Sequence, residues 1–269
     1  MDLLSAALLG LVQALTEFLP VSSSGHLVLA EALLGADMGT GAAFEVAVHF
    51  GTLLSVAVLF RRDLRDLLAA AFDGLRGGGL SARLREDARL RLLLAIVIGC
   101  VPAGVVGVAF KDQLEALFDA PRLVCAALIA TGVYLLASHF AQRGDGEVTP
   151  GRALAIGVAQ AVAIIPGVSR AGSTIATAMF LGVERDLAAR YSFLMSLPVI
   201  FGATLLKARD LLDAPPSADA LVALGVGALV SFVAGLGALA LLMRLVRRGV
   251  FGHFGWYCLT VGVVGLALL

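Results

Sequence analysis

Two short stretches carry polar side chains of the kinds that do chemistry, and both interrupt otherwise apolar sequence: EFLPVSSSGHL at 17–27 and PGVSRAGST at 166–174. The first places a carboxylate (Glu17), a hydroxyl (Ser23) and an imidazole (His26) within ten residues, the makings of an orienting group, a nucleophile and a base. His26 lies three residues after Ser23, so a tight turn would bring the two within hydrogen-bonding reach. Either can accept a phosphoryl group, and the sequence does not rank them. Ser22 and Ser24 are expected to cap the following helix or to hold phosphate oxygens. In the second stretch Arg170 offers a permanently charged planar fork that suits phosphate, flanked by the hydroxyls of Ser169, Ser173 and Thr174. Gly167, Gly172 and the start of the next helix can aim backbone N–H groups at the same anion. The plainer alternative is a structural ion pair between Arg170 and Glu17; the hydroxyls around the arginine favour phosphate.

Gln13 and Glu17 stand four apart, on one helical face, and present oxygens that can hold a divalent cation, Mg²⁺ or Ca²⁺, together with substrate phosphates. Glu45 either joins them or serves as a helix-start carboxylate favoured by the macrodipole. His49, one turn further on, is placed to line the same cavity, whereas His139 and His253 fall at the ends of apolar stretches and read as interfacial.

The elements that hold these groups must be membrane helices. Of 269 residues, 59% are apolar and only 15% charged, well below the soluble norm of about a quarter. The Lys and Arg total of 20 equals the Asp and Glu total, so charge points to lipid partners and not to nucleic acid. The opening MDLLSAALLGLVQAL lacks a basic leader and carries Asp2, so it is read as part of the fold. Cys100, Cys125 and Cys258 lie far apart in apolar runs, as buried thiols do.

Six stretches are long and apolar enough to span, at about 44–60, 92–110, 121–141, 187–207, 219–243 and 250–269. Two more, 3–36 and 153–183, are broken in the middle by polar residues, proline and glycine. Segment 61–91 holds eight arginines and MRLVRR at 243–248 three more, which marks both as cytoplasmic. Threading the spans between them makes both broken regions re-entrant hairpins that enter from opposite faces and meet in the interior, where protein can satisfy their polar backbone.

An internal repeat agrees. GLVQALTEFLPVSSSG (10–25) aligns without a gap to GVAQAVAIIPGVSRAG (157–172), with six identities in sixteen positions. The reading is an all-α polytopic membrane protein of one domain, with inverted repeats over about 3–110 and 150–243 and a cytoplasmic connector at about 61–91. Broken helices of an inverted repeat that meet near the midplane mark a ligand site.

QALTEFLPVSSSGH followed by PGVSRAGST resembles the two signature motifs of the undecaprenyl-diphosphate phosphatase family, integral-membrane proteins associated with bacitracin resistance. The likeness covers essentially the whole chain, including FEV at 44–46 and YSFLMSLP at 191–198. It implies hydrolysis of undecaprenyl diphosphate to undecaprenyl phosphate and inorganic phosphate, recycling the carrier used to export cell-wall precursors. It further implies a bacterial plasma-membrane protein whose site opens to the outer side, with the carrier lipid as partner and room for a homodimer. By position, Glu17 would be the essential carboxylate, Ser23 and His26 the nucleophile and acid/base candidates, and Arg170 the phosphate clamp. Gln13 stands where some members have a second glutamate, which weakens the case for a two-carboxylate metal site. The rival reading is an inverted-repeat transporter or flippase that binds a phosphate-bearing lipid without hydrolysing it.

Overall fold

A computed structural model describes residues 1–34, 42–75, 80–141, 144–210 and 218–269. Among these residues the regular structure is helical. The chain opens with α1 (Leu3–Phe18) and α2 (Ser23–Leu34), followed by α3 (Ala42–Leu59), α4 (Arg61–Leu75) and α5 (Leu80–Glu86). Next come α6 (Ala88–Ala109), the short α7 (Lys111–Ala116) and α8 (Pro121–Ala137). A second broken pair, α9 (Pro150–Val162) and α10 (Arg170–Phe180), precedes α11 (Arg185–Asp210), α12 (Ala218–Arg248) and α13 (Phe254–Leu268).

Among the described residues five helices (α6, α8, α11, α12 and α13) are long and apolar enough to cross a membrane. The sixth expected span is α3, which turns by 78° into α4 at a short break. The protein is therefore an all-α, multi-pass membrane protein. The segment read as a connector differs from expectation: α4 and α5 make much of it helical. Leu64 and Leu67, three apart on α4, pack against the core, which anchors that helix while Leu68 and Phe72 stay exposed.

Both broken regions form helix–break–helix units, and the breaks have identifiable causes. Pro20 forces Leu19 into extended backbone (φ −64°, ψ 143°), which ends α1. Ser22 then takes φ +68°, a conformation costly for a side-chain-bearing residue, and both its oxygens are bonded there. Its carbonyl accepts from the His26 amide at 3.2 Å and its Oγ accepts from the Gly25 amide, also at 3.2 Å. In the second unit Gly167 takes φ +93°, and its carbonyl accepts from Thr131 Oγ1 at 3.0 Å. Ser169 caps α10 by accepting from the Gly172 amide at 3.1 Å.

The two breaks touch. A β-carbon on Gly25 would stand 3.0 Å from Gly167 Cα, so a glycine at 25 lets the backbones approach this closely. The repeat-related glycines Gly10 and Gly157 are also contact points. Gly10 faces Gly227 of α12, and Gly157 faces Gly99 of α6, so each hairpin's first helix leans on a helix from the other half of the chain. Beneath the meeting point lies an aromatic floor. Phe193 packs edge-on to Phe18 at 5.8 Å between ring centroids and stacks on Phe60 at 6.2 Å.

Candidate active site

Glu17 is the hub. It sits in the last turn of α1 with its side chain only 9% exposed, and donors surround it. Ser23 Oγ donates to Oε2 at 2.9 Å, and Gln13 Nε2 donates to the same oxygen at 3.2 Å. Arg170 Nη2 donates to Oε1 at 2.6 Å, joining the two hairpins through a nearly buried ion pair. His49 Nε2 lies 3.9 Å from Oε2. The other nitrogen of that ring, Nδ1, is 2.8 Å from the Glu45 carbonyl, which can only accept; in the neutral ring the lone pair is therefore on Nε2. Gln13 Nε2 lies 3.2 Å from that lone pair, so one amide group donates to both His49 and Glu17.

Arg170 opens α10 and is held from below, its Cζ 6.0 Å from the centre of the Phe193 ring. One arm of its fork is spent on Glu17. The other, Nη1, is buried without a hydrogen-bond partner among the described residues. An unsatisfied guanidinium N–H costs its full desolvation penalty, so the arrangement makes sense if an anion completes it.

Several expected roles move. The predicted hydrogen bond between Ser23 and His26 is replaced: Ser23 turns to Glu17, and His26 makes its two ring contacts elsewhere. His26 Nδ1 folds back on the Ser22 carbonyl at 2.8 Å, one helical turn below, and Nε2 meets the Tyr257 hydroxyl at 2.8 Å. The hydroxyls flanking Arg170 are mostly committed to structure. Ser169 Oγ is the cap of α10, and its amide donates to Thr131 Oγ1 at 3.3 Å. Thr174 Oγ1 donates to the Arg170 carbonyl at 2.8 Å and pairs with Ser192 at 2.6 Å. Ser173 is buried one turn into α10. Ser24 bonds to Ser22 Oγ at 3.3 Å, so that pair serves the break before α2. The Gly172 amide is likewise used by Ser169, which leaves the Arg170 fork as the chief anion donor of the second hairpin. Glu45 stands in the first turn of α3, with His49 one turn on. His139 and His253 meet each other edge-to-face at 5.7 Å, apart from this network.

The donor set does not fit a divalent cation held by protein alone. Both Glu17 oxygens already accept, one of them from a cation, and Gln13 presents its N–H side to Glu17. Among the described residues no group of three or more His, Cys, Asp or Glu is arranged around a common point. Hard cations of this class take six or more oxygens, most of which would have to come from phosphate or water.

Two contributors carry no sequence signal of their own. Phe193 lies within an apolar span and Tyr257 within WYC of the last span, 231 residues from the histidine that it touches.

The family model of the bacitracin resistance protein BacA matches residues 6–264. The undecaprenyl-diphosphatase of Salinibacter ruber is 44% identical over 266 residues, covering 98% of each chain. That of Desulfosudis oleivorans is 43% identical over 272 residues, covering 99% of this chain and 98% of its own. The undecaprenyl-diphosphatase of Korarchaeum cryptofilum is 40% identical over 274 residues, covering both chains in full. Motif, fold and full-length similarity agree: the chain belongs to the bacitracin resistance protein BacA family.

Proposed function

We propose that this protein hydrolyses undecaprenyl diphosphate to undecaprenyl phosphate and inorganic phosphate. The observation that carries the reading is the buried Arg170 fork, one arm fixed on Glu17 and the other without a partner, beside the Ser23 hydroxyl that Glu17 also binds.

In this mechanism Arg170 Nη1 donates to a terminal phosphate oxygen of the substrate, and the positive charge of the guanidinium offsets charge that builds in the transition state. Ser23 Oγ attacks the terminal phosphorus. Its proton passes to Glu17 Oε2, which already accepts it, and the bond from phosphorus to the bridging oxygen breaks to release undecaprenyl phosphate. Water then attacks the phosphoserine phosphorus as His26 Nε2 takes a water proton; the bond from phosphorus to Ser23 Oγ breaks, Glu17 returns its proton to Oγ, and inorganic phosphate leaves. An alternative assignment exchanges the roles of Ser23 and His26; the hydroxyl's contact with Glu17 supports Ser23 as nucleophile. A Mg²⁺ or Ca²⁺ ion belongs to this reading as a companion of the diphosphate, and no step depends on it.

The two hairpins are read as entering from opposite membrane faces, as an inverted repeat, with the site open to the outer face of a bacterial plasma membrane. The charge distribution and the Gly25–Gly167 contact support this. The side chains of the network all come from one chain, so a homodimer, if formed, is not needed to complete it. A transporter of the same lipid would need Arg170 but would have no use for a hydroxyl bonded to a carboxylate beside it. Phosphate release from undecaprenyl diphosphate by purified protein tests the reading, and substrate binding without turnover would overturn it.

A further inference from the structure

His26 is held by two contacts whose chemistry fixes its state. The Ser22 carbonyl, 2.8 Å from Nδ1, can only accept, so Nδ1 carries a proton and the neutral ring has its lone pair on Nε2. The group 2.8 Å from Nε2 is the Tyr257 hydroxyl, which therefore donates to it. The phenol and imidazole planes are parallel to within 7°, with centroids 5.5 Å apart, an offset arrangement that lets the hydroxyl approach Nε2 near the plane of the imidazole. Tyr257 comes from α13, outside both hairpins, and is 47% exposed. It also lines an apolar recess of about 530 Å³ with Leu15, Leu19, Val250 and Phe254, which gives its ring space to turn and release Nε2.

We propose that Tyr257 is a positioning residue for His26: its hydroxyl donates to the Nε2 lone pair that the Ser22 carbonyl leaves there and holds the imidazole in place until the reaction draws on that nitrogen. The inference rests on the role given to His26 in the proposed hydrolysis. It accounts for why the imidazole is not bonded to Ser23. Serine and histidine each have a separate partner in the resting site, Glu17 for one and Tyr257 for the other.

The test pairs a spectroscopic readout with kinetics in full-length protein in detergent micelles. With ¹⁵N-histidine labelling and His26→Ala to assign the signals, the wild type is expected to show a protonated Nδ1 and a hydrogen-bonded lone pair at Nε2. In Tyr257→Phe, which keeps the ring, the Nε2 signal should move toward that of an unbonded lone pair while Nδ1 stays. That variant should lose about ten-fold in kcat, the scale of one lost hydrogen bond, with KM changed less than about two-fold. Tyr257→Leu, which also removes the stacked ring, should lose more. Identical His26 signals in wild type and Tyr257→Phe, or an unchanged kcat, would overturn the inference. Full activity in His26→Ala would instead overturn the hydrolytic role of His26, while the ¹⁵N signals of wild type and Tyr257→Phe would still decide whether Tyr257 bonds Nε2.

Discussion

Arg170 and Glu17 lie 153 residues apart in sequence and 2.6 Å apart in space, and this single contact ties the second hairpin to the first. Because Glu17 also accepts from Ser23 and Gln13, the ion pair bears on the position of both those side chains. Removing the arginine therefore has two separable effects. Arg170→Ala should lower kcat/KM by about 10²–10³, the cost of one preorganised charge at a developing anion. It should also destabilise the fold by roughly 3–5 kcal/mol, because Glu17 is left buried and uncompensated. The double variant Glu17→Gln with Arg170→Met should regain much of the lost stability and none of the activity, as thermal unfolding and phosphate release measured together would show.

The meeting of the breaks depends on Gly167. Alanine there would be held at φ +93° and would press on the Val124 carbonyl of α8, so Gly167→Ala should destabilise by about 1–3 kcal/mol and displace the second break from its seat. Gly25→Val should do the same from the other side, since Gly167 Cα is already in contact. Unfolding temperature in detergent checks both; a variant as stable and active as wild type would show that the breaks need not touch.

How much of this could be read from the sequence depends on the kind of interaction. The apolar spans and the two broken helices are legible because apolar length and proline or glycine breaks are local features. The pairing of Arg170 with Glu17 is legible only as a plain alternative to phosphate binding, and the structure shows one arm of the guanidinium on Glu17 with the other left without a partner among the described residues. The Ser23–His26 bond was misjudged because sequence spacing says nothing about which way each side chain turns once Ser22 adopts φ +68°. Ser169 and Thr174 were read as phosphate donors because their hydroxyls flank Arg170; their bonds to the α10 cap and to Ser192 are set by packing that no motif encodes. Phe193 and Tyr257 reach the site through tertiary packing alone, so nothing near them in sequence pointed there.

Gln13 divides its amide between Glu17 and His49. Gln13→Glu should replace this donor with a second carboxylate beside the first, a pair that either repels or binds a cation. Calorimetry should therefore show tighter Mg²⁺ binding by Gln13→Glu than by wild type. Equal binding by the two would mean that Gln13 and Glu17 do not share a cation site.

His49 should matter less than His26. It reaches Glu17 only at 3.9 Å and through Gln13, so His49→Ala should lower kcat by no more than about ten-fold, on the scale of one lost hydrogen bond. A loss as deep as that of Arg170→Ala would place His49 among the groups that touch the substrate.

The central claim is that Ser23, activated by Glu17 and faced by Arg170, transfers the terminal phosphoryl group. Release of inorganic phosphate from undecaprenyl diphosphate, measured for purified wild type, Ser23→Ala and Arg170→Ala, tests it most directly. Steady turnover is expected in the wild type and a loss of at least about 10³ in Ser23→Ala, with Arg170→Ala strongly impaired. Wild-type rates in Ser23→Ala would contradict it.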